Sequence, residues 1–383
     1  MKKIALMGTA FAAAVLSSSV AAQSSVTLYG LIEDGVDFYN NSAGRNLLET
    51  RDGAFTGIYG SRWGLTGEED LGGGMSTVFR LENGFNSSTG GLGQGGRMFG
   101  RQAYVGLADK SYGSVLLGRQ YDEVADYLQF AGSGSQWGGI VTHASDIDNV
   151  SNSYRISNVV KYVSPNFHGF TFSGLYAFSN DSSIGGAGTT AAQSAGASYA
   201  NGPFKVAVAY YYLKHPATYI TDGHYVANTV GAAIGAAGPW SYVGNPNSAR
   251  TVGAGASYLL GKLTFRALYT QARFIDANGT TSNVRFDDYD ISLNYALTPS
   301  LGVGLAYLYT LGHVDYLGQE PKYNRLAAGV SYKLSARSQI YGVIVGQQAG
   351  GAAKGADLYE GTAANMSTTN RQVGGRIAFI HKF

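Results

Sequence analysis

The chain has 383 residues, among them 55 glycines, 28 tyrosines, 17 phenylalanines, 7 prolines and no cysteine; 45% of residues are hydrophobic and 14% charged. This is too apolar for a disordered polymer, and the glycines lack the triplet period of collagen. The absence of cysteine excludes disulfides, thiolate nucleophiles and zinc–sulfur sites, and a formal charge of +2 lacks the basic excess on which nucleic-acid binding draws.

The first segment sets the compartment. Lys2 and Lys3 precede an apolar run from Ile4 to Leu16, and Ser17 to Ala22 are small or modest in size. This is the pattern of a secretory signal peptide over residues 1–22, which leaves residues 23–383 as one domain. The apolar run is shorter than the roughly 20 residues of a membrane-anchoring helix. Of the 27 basic residues two, Lys2 and Lys3, fall in this leader, so 25 remain against 25 acidic ones and the mature chain is neutral. No later segment approaches 18 uninterrupted apolar residues, which excludes a helical membrane protein.

The remainder shows period two, the mark of strands with two unlike faces. Phe204, Val206, Val208, Tyr210 and Tyr212 alternate with Lys205, Ala207, Ala209 and Tyr211. Leu301, Val303, Leu305, Tyr307 and Tyr309 alternate with small or polar residues. In chain order the pattern predicts sixteen strands: Val26–Tyr39, Phe55–Gly67, Met75–Asn86, Met98–Ala108, Gly113–Gln120, Ser153–Val163, Gly169–Phe178, Gln193–Tyr199, Phe204–Lys214, Ala249–Leu259, Lys262–Arg273, Val284–Ala296, Leu301–Leu311, Lys322–Leu334, Arg337–Gln348 and Gln372–Phe383. Long connections, beginning with Asn40 to Ala54, Ser87 to Arg97 and Tyr121 to Asn152, alternate with short Gly- or Pro-bearing ones such as Asn201-Gly202-Pro203.

An even strand number with long and short links in turn describes an all-β fold, a 16-stranded antiparallel transmembrane β-barrel with both termini on the short-turn side. Hydrocarbon forbids an open sheet edge, so the sheet closes. The soluble alternative, a large β-sandwich, does not account for the strict alternation of connections. Tyrosines and phenylalanines cluster near outward strand ends, where amphipathic rings meet headgroups. Sixteen strands enclose an aqueous channel. Asp34 fits badly, because it shares the apolar face of Val26, Leu28, Ile32, Val36 and Phe38, and a lipid-facing carboxylate is costly.

Several segments resemble the Gram-negative general porins, closest to their β-proteobacterial branch. They are Ser25 to Gly30, Ser61 to Gly74 (Ser-Arg-Trp-Gly-Leu-Thr-Gly-Glu-Glu-Asp-Leu-Gly-Gly-Gly), Arg101 to Leu107, Gly118 to Tyr121 and the final Phe383. The resemblance covers the mature chain. It implies a homotrimer in the outer membrane, contacting outer-membrane lipid and lipopolysaccharide, with one pore per barrel narrowed by an inward-folded third loop. It also implies that Phe383 is the signal read by the outer-membrane assembly machinery. Asp34, on the first strand, would then be sheltered at the subunit interface.

The third loop is Tyr121 to Asn152, and Leu128, Phe130, Trp137 and Ile140 offer it apolar anchors. The family opposes wall arginines to acids on this loop. Carried over motif by motif, the wall arginines fall on Arg62, Arg101 and Arg155. Alternation independently sets Arg62 opposite outward Trp63 and Leu65, and Arg155 opposite Ile156 and Val160. Arg101 shares a face with Ala103, Val105 and Leu107, so only the resemblance turns it inward. On the loop, Asp122, Glu123, Asp126, Gln136 and Trp137 are the candidates. Ser135-Gln136-Trp137-Gly138-Gly139 stands where the enterobacterial relatives have Pro-Glu-Phe-Gly-Gly, so an acid is replaced by an amide, and Gly132 stands where they carry an aspartate. Three arginines facing fewer acids predict a mild preference for anions among the small hydrophilic solutes and ions that pass.

Enzyme readings find little footing. His143, His168, His215, His224, His313 and His381 show no metal-binding spacing, Gly91 to Gly96 lacks the lysine and context of a phosphate loop, and no nucleophile motif stands out. No metal or cofactor is expected. A substrate-specific channel is the next reading, and an adhesin or enzyme barrel follows it.

Overall fold

The computed structural model describes residues 25–179, 190–216, 238–358 and 366–383; residues 1–22, read as a signal peptide, lie outside them. The described residues form seventeen strands in one antiparallel sheet. They are β1 (Ser25–Ser42), β2 (Arg45–Asp52), β3 (Arg62–Gly72), β4 (Met75–Gly84), β5 (Gln102–Asp109), β6 (Gly113–Gln120), β7 (Ile156–Val163), β8 (Phe170–Phe178), β9 (Thr190–Asn201), β10 (Phe204–Lys214), β11 (Ser248–Leu260), β12 (Leu263–Ile275), β13 (Val284–Ala296), β14 (Leu301–Val314), β15 (Pro321–Lys333), β16 (Ser338–Gly351) and β17 (Arg371–Lys382). β2 and β3 lie end to end along the same edge of β1, pairing with its second and first halves. Together they make one stave, so the closed barrel has sixteen.

Closure falls between the two ends of the chain. β1 pairs with β17 from Leu31↔Lys382 to Tyr39↔Gly374, and Phe383 and Gly30 exchange both backbone hydrogen bonds, at 3.0 and 3.1 Å. No sheet edge is left for hydrocarbon to strand. None of the described helices is long and apolar enough to cross a membrane; the crossing is made by strands. Along them, apolar side chains turn out and polar or small ones turn in. Val208, Ile291, Leu305, Leu326, Ile344 and Ile377 are exposed on the outside, and Tyr269, Tyr289 and Tyr309 stack across β12, β13 and β14 with centroids 5.1 and 6.2 Å apart.

The sheet departs from the sequence reading in its second stave, the one made of β2 and β3. The expected long connection Asn40–Ala54 is a tight hairpin, because Ala43 and Gly44 both take positive φ and turn the chain straight back into β2. The ladder then breaks, and residues 53–61, read as the start of a strand at Phe55, fold into the lumen. The cause is local. Inward-facing Glu33 accepts the N–H groups of Ile58 at 3.0 Å and Tyr59 at 2.7 Å, and a side chain at Gly57 would lie 1.9 Å from the Glu33 carboxylate. The apolar residues of that segment imitate strand alternation, but glycine and a buried carboxylate decide its course.

Asp34 does face outward, and the chain satisfies it internally: Ser87 and Ser88, from the connection after β4, donate to its Oδ2 at 2.8 and 2.9 Å. Within β7, Asn158 takes φ 60° and resets the alternation. Val160, opposite exposed Leu117, faces out as expected, whereas Ile156 turns into the core beneath the third loop.

Candidate pore constriction

The connection between β6 and β7 lies inside the barrel, as expected of the third loop. It opens with a short helix, α1 (Glu123–Leu128), capped by Asp122, whose carboxylate accepts from Val124 N at 2.9 Å and Ala125 N at 3.2 Å. Val124, Leu128 and Ala131 then pack against the inner faces of β10 to β12, in one core with Ala207, Tyr211 and Leu268, each aliphatic side chain of Val or Leu size contributing about 1.5–3 kcal/mol. A second turn, α2 (Gly134–Trp137), delivers Trp137, 4% exposed. Its ring fills the space left by two inward wall glycines: a Cβ at Gly304 would lie 2.5 Å from it and one at Gly329 2.2 Å. Gly139 and Ile140 donate their N–H groups to Gly57 O at 2.8 Å and Thr56 O at 3.2 Å. The loop therefore rests partly on the wall and partly on the other inward segment.

Behind it lies a buried ionic cluster. His143 Nδ1 meets Asp148 Oδ2 at 2.6 Å, and its Nε2 is 3.9 Å from Asp290 Oδ2. Thr270 donates to Asp148, Thr310 to Asp288 Oδ1 at 2.5 Å, and Ser133 N to Asp290 at 2.7 Å. Burial opposes a charge on His143, but Asp148, Asp288 and Asp290 outweigh it and hold the ring protonated up to about 10. His143, Asp148 and Asp288 each bring one possible ligand atom within 4.8 Å of the others. Hydrogen bonds already engage Asp148 and Asp288, and a protonated imidazole cannot ligate, so the histidine serves as a counter-cation that ties the loop to β12, β13 and β14.

The opposite wall is arranged otherwise. On β3 and β4, Arg62, Glu82 and Arg80 share the inward face, as their pairing with inward Leu31 and Tyr29 requires. Arg101 stands one residue before β5 begins, so strand alternation does not bind it, and its side chain turns in. Its Nε donates to Glu82 Oε1 at 2.7 Å and its Nη2 to Tyr121 OH at 2.9 Å. Arg62 Nη1 lies 4.0 Å from the same carboxylate, which also accepts from Tyr29 OH at 2.9 Å. Arg155 lies over the Tyr121 ring at 5.3 Å. Among the described residues Glu82 is thus the carboxylate that meets both Arg62 and Arg101, with Arg80, over the Tyr29 ring at 5.7 Å, and Arg155 beside them. Burial raises the Tyr121 phenol, but Arg101, Arg155 and Arg62 overcome it and pull the group below its ordinary value.

The loop acids take different places. Asp122 is fully buried under the loop as a helix cap, and burial pushes its carboxyl up to about 7. Glu123 is also buried, 3.0 Å from Lys161 Nζ, and Asp126 meets the same ammonium at 2.6 Å. Of these three only Asp126 keeps appreciable solvent access. Gln136 is half-buried and donates to Ser135 Oγ at 2.6 Å. Gly132 faces Val150 and Leu268. The ring of Phe383 covers Gly30 at the barrel seam. The residues that sequence reasoning missed are Glu82, Arg80 and Lys161. Their signal was present, since Arg80 and Glu82 alternate with Phe79 and Leu81, and Lys161 with Val160 and Tyr162.

A closed barrel with an apolar exterior, a charged interior and a long connection folded into its lumen defines a membrane-spanning channel. Comparison with known proteins names the kind: a family model described as Gram-negative porin matches residues 8–349. Outer membrane porin protein 32 of Delftia acidovorans is 30% identical across 96% of this chain and 98% of its own length. An outer membrane porin protein of Bordetella pertussis is 38% identical over 227 residues, 53% of this chain and 58% of that protein, so that match spans little over half of the relative. Among solved structures, an anion-selective porin from Comamonas acidovorans superposes with a TM-score of 0.72 at 23% identity, covering 94% of this chain and 100% of that one; at that identity the likeness speaks for the fold. The chain belongs to the Gram-negative porin family and is a diffusion channel of the outer membrane.

Proposed function

We propose that the lumen passes small hydrophilic solutes and ions passively, with a mild preference for anions. The observation that carries this reading is the shortage of carboxylates on the β3 to β7 wall, where among the described residues Glu82 is the one acid that meets Arg62 and Arg101, with Arg80 and Arg155 alongside. On the facing loop Glu123 and Asp126 are engaged by Lys161, so they do not restore the balance. Cations beside a narrow, low-dielectric passage favour anions over their whole approach. In this reading Arg62, Arg101 and Arg155 set the basic side of the constriction, and Asp126, Gln136 and Trp137 belong to the loop that narrows it. Asp122 and Glu123 act by holding that loop in place.

The same reading includes a homotrimer, contact with outer-membrane lipid and lipopolysaccharide, removal of residues 1–22 on export, and recognition of Phe383 by the assembly machinery. Liposome swelling tests the transport reading. Rates are expected to fall as neutral sugars grow, and gluconate is expected to enter faster than glucosamine of similar size. Impermeable liposomes, or uptake that saturates for one sugar, would overturn it.

A further inference from the structure

The third loop meets the wall of β11 to β13 along one inward row. A Cβ at Gly255 would lie 2.7 Å from Ala131, Gly132 faces Leu268, and Ser133 N donates to Asp290 at 2.7 Å. Gly255, Leu268 and Asp290 are direct partners in the sheet. The next inward row toward the short turns is Lys205, Ser257, Arg266, Ser292 and Ala306, again direct partners from β10 to β14. The loop flanks both ends of that row: Lys205 Nζ lies 4.0 Å from the centre of the Phe130 ring, and Trp137 packs in one core with Ala306. Asn294, one inward position further along β13, belongs to the same place. A Cβ at its partner Gly304 would be 2.4 Å from Asn294 Oδ1 and 2.5 Å from Trp137 Cζ2.

What these residues share is unspent hydrogen-bond donors. Arg266 Nη1, Ser292 Oγ, Asn294 Nδ2 and Trp137 Nε1 are buried and have no hydrogen-bond partner among the described residues. Ser292 is 1% exposed and Trp137 4%, so bulk solvent does not satisfy them, and an unpaired buried donor is costly. The acid on this stretch of β13, Asp290, is already taken by Ser133 and stands 3.9 Å from His143 Nε2. A metal cation has no use for donors. Four neighbouring donors, one of them on an always-charged guanidinium, exceed what one water molecule accepts, whereas a carboxylate or phosphate, with about four or more acceptor positions, matches them.

We propose that Arg266, Ser292, Asn294 and Trp137 form a binding site for a small oxoanion on the short-turn side of the third loop, with Lys205 adding a second positive charge at its edge. The site stands on β12 and β13, across the lumen from Arg62 on β3, and is separate from the basic side of the constriction. It gives an anion a place to pause, where the preference proposed above only favours its passage; neutral sugars meet no counter-charge there and pass unhindered. An anion reaches it through an open lumen, so the inference rests on the channel reading.

Inorganic phosphate is the probe. Chloride current in planar bilayers is titrated with phosphate at constant ionic strength, and thermal unfolding of the detergent-purified protein is followed with and without it. Phosphate is expected to lower the current to a plateau and to raise the thermal midpoint. Arg266→Gln is expected to raise the phosphate concentration for half-block about tenfold, the usual loss with a charge-assisted hydrogen bond, and Asn294→Ala about threefold. Because Arg266 Nη1 has no partner to lose, Arg266→Gln is expected to keep the parent's midpoint in chloride buffer. Arg62→Gln, across a screened lumen, is expected to move half-block by less than about twofold. A block that shifts with Arg62 and not with Arg266, or no block together with no rise in midpoint, would overturn the proposal. A parent that conducts nothing, yet whose midpoint phosphate raises only while Arg266 is present, would overturn the channel reading and support the site.

Discussion

Two neighbouring stretches of the inner wall hold similar charges and treat them in opposite ways. Where β1, β16 and β17 meet, Arg376 is 1% exposed, its Nη1 is 2.6 Å from Asp37 and its Nη2 3.5 Å from Glu33. Tyr341 donates to Glu33 at 2.6 Å and Thr56 to Asp37 at 2.7 Å. Every charge there has a partner and the cluster acts as a rivet, holding residues 53–61 inside the barrel. On the adjoining staves, Arg62 on β3 and Arg80 on β4 remain half-buried, and the Nε atoms of Arg80 and Arg155 lack hydrogen-bond partners among the described residues. The chain's small formal charge of +2 conceals this division: acids are spent on anchoring, and the passage keeps the surplus of cations.

The comparison breaks most visibly at the rivet. Arg376→Ala would leave Glu33 and Asp37 buried without a counter-charge and is expected to cost about 3–5 kcal/mol, read as a lowered thermal midpoint; an unchanged midpoint would show that the cluster anchors nothing. Trp137→Ala empties the space over Gly304 and Gly329 and is expected to cost roughly 3 kcal/mol, with larger and noisier single-channel currents as the loop loosens. Currents as quiet as the parent's would place the anchor elsewhere.

A change at Arg62 acts on selectivity and leaves stability nearly untouched, whereas Lys161 is buried against Glu123, so its loss also lowers stability. Arg62→Glu is expected to lower the anion-to-cation permeability ratio by a factor on the order of ten, since a charge change beside the passage alters each ion's energy by about 1 kcal/mol. Lys161→Gln frees the charges of Glu123 and Asp126 and is expected to lower the ratio in the same direction by a smaller factor, Asp126 being the acid with solvent access. A rise in anion preference in either variant would contradict the assignment of surplus.

The loop's attachment also depends on pH. The His143 imidazole is held protonated up to about 10 in the fold by Asp148, Asp288 and Asp290 against the cost of burial. A raised pKa contributes stability that is complete below the ring's ordinary value of about 6.5 and is lost as pH climbs through that interval. The melting temperature is therefore expected to drop between roughly pH 6.5 and 10, and His143→Gln to flatten that slope. Asp122 works in the opposite region: its carboxyl, raised to about 7 by burial, makes the fold less stable as pH rises from about 4 to 7.

Most of the barrel was legible because the membrane simplifies the code. Hydrocarbon outside and water inside force alternation, and fifteen of the sixteen staves were recognised by it, β7 with the pattern reset at Asn158. The sixteenth was misread because Phe55 and Ile58 look like strand residues, while the group that diverts them, Glu33, is distant in sequence and acts through its carboxylate. Arg62 was placed by alternation. Arg101 was not, since it lies just outside β5, where the pattern has no authority. The loop acids were legible as acids and not as roles: nothing in the order Asp122-Glu123-Asp126 reveals that Lys161, on a wall strand, takes two of them.

The central claim is that fixed positive charge at the constriction governs which ions pass. The reversal potential of the native protein across a planar bilayer under a KCl gradient tests it most directly. A potential whose sign reports chloride as the more permeant ion, shrinking as total salt rises, is the expected result; a potential reporting potassium as the more permeant ion would contradict it.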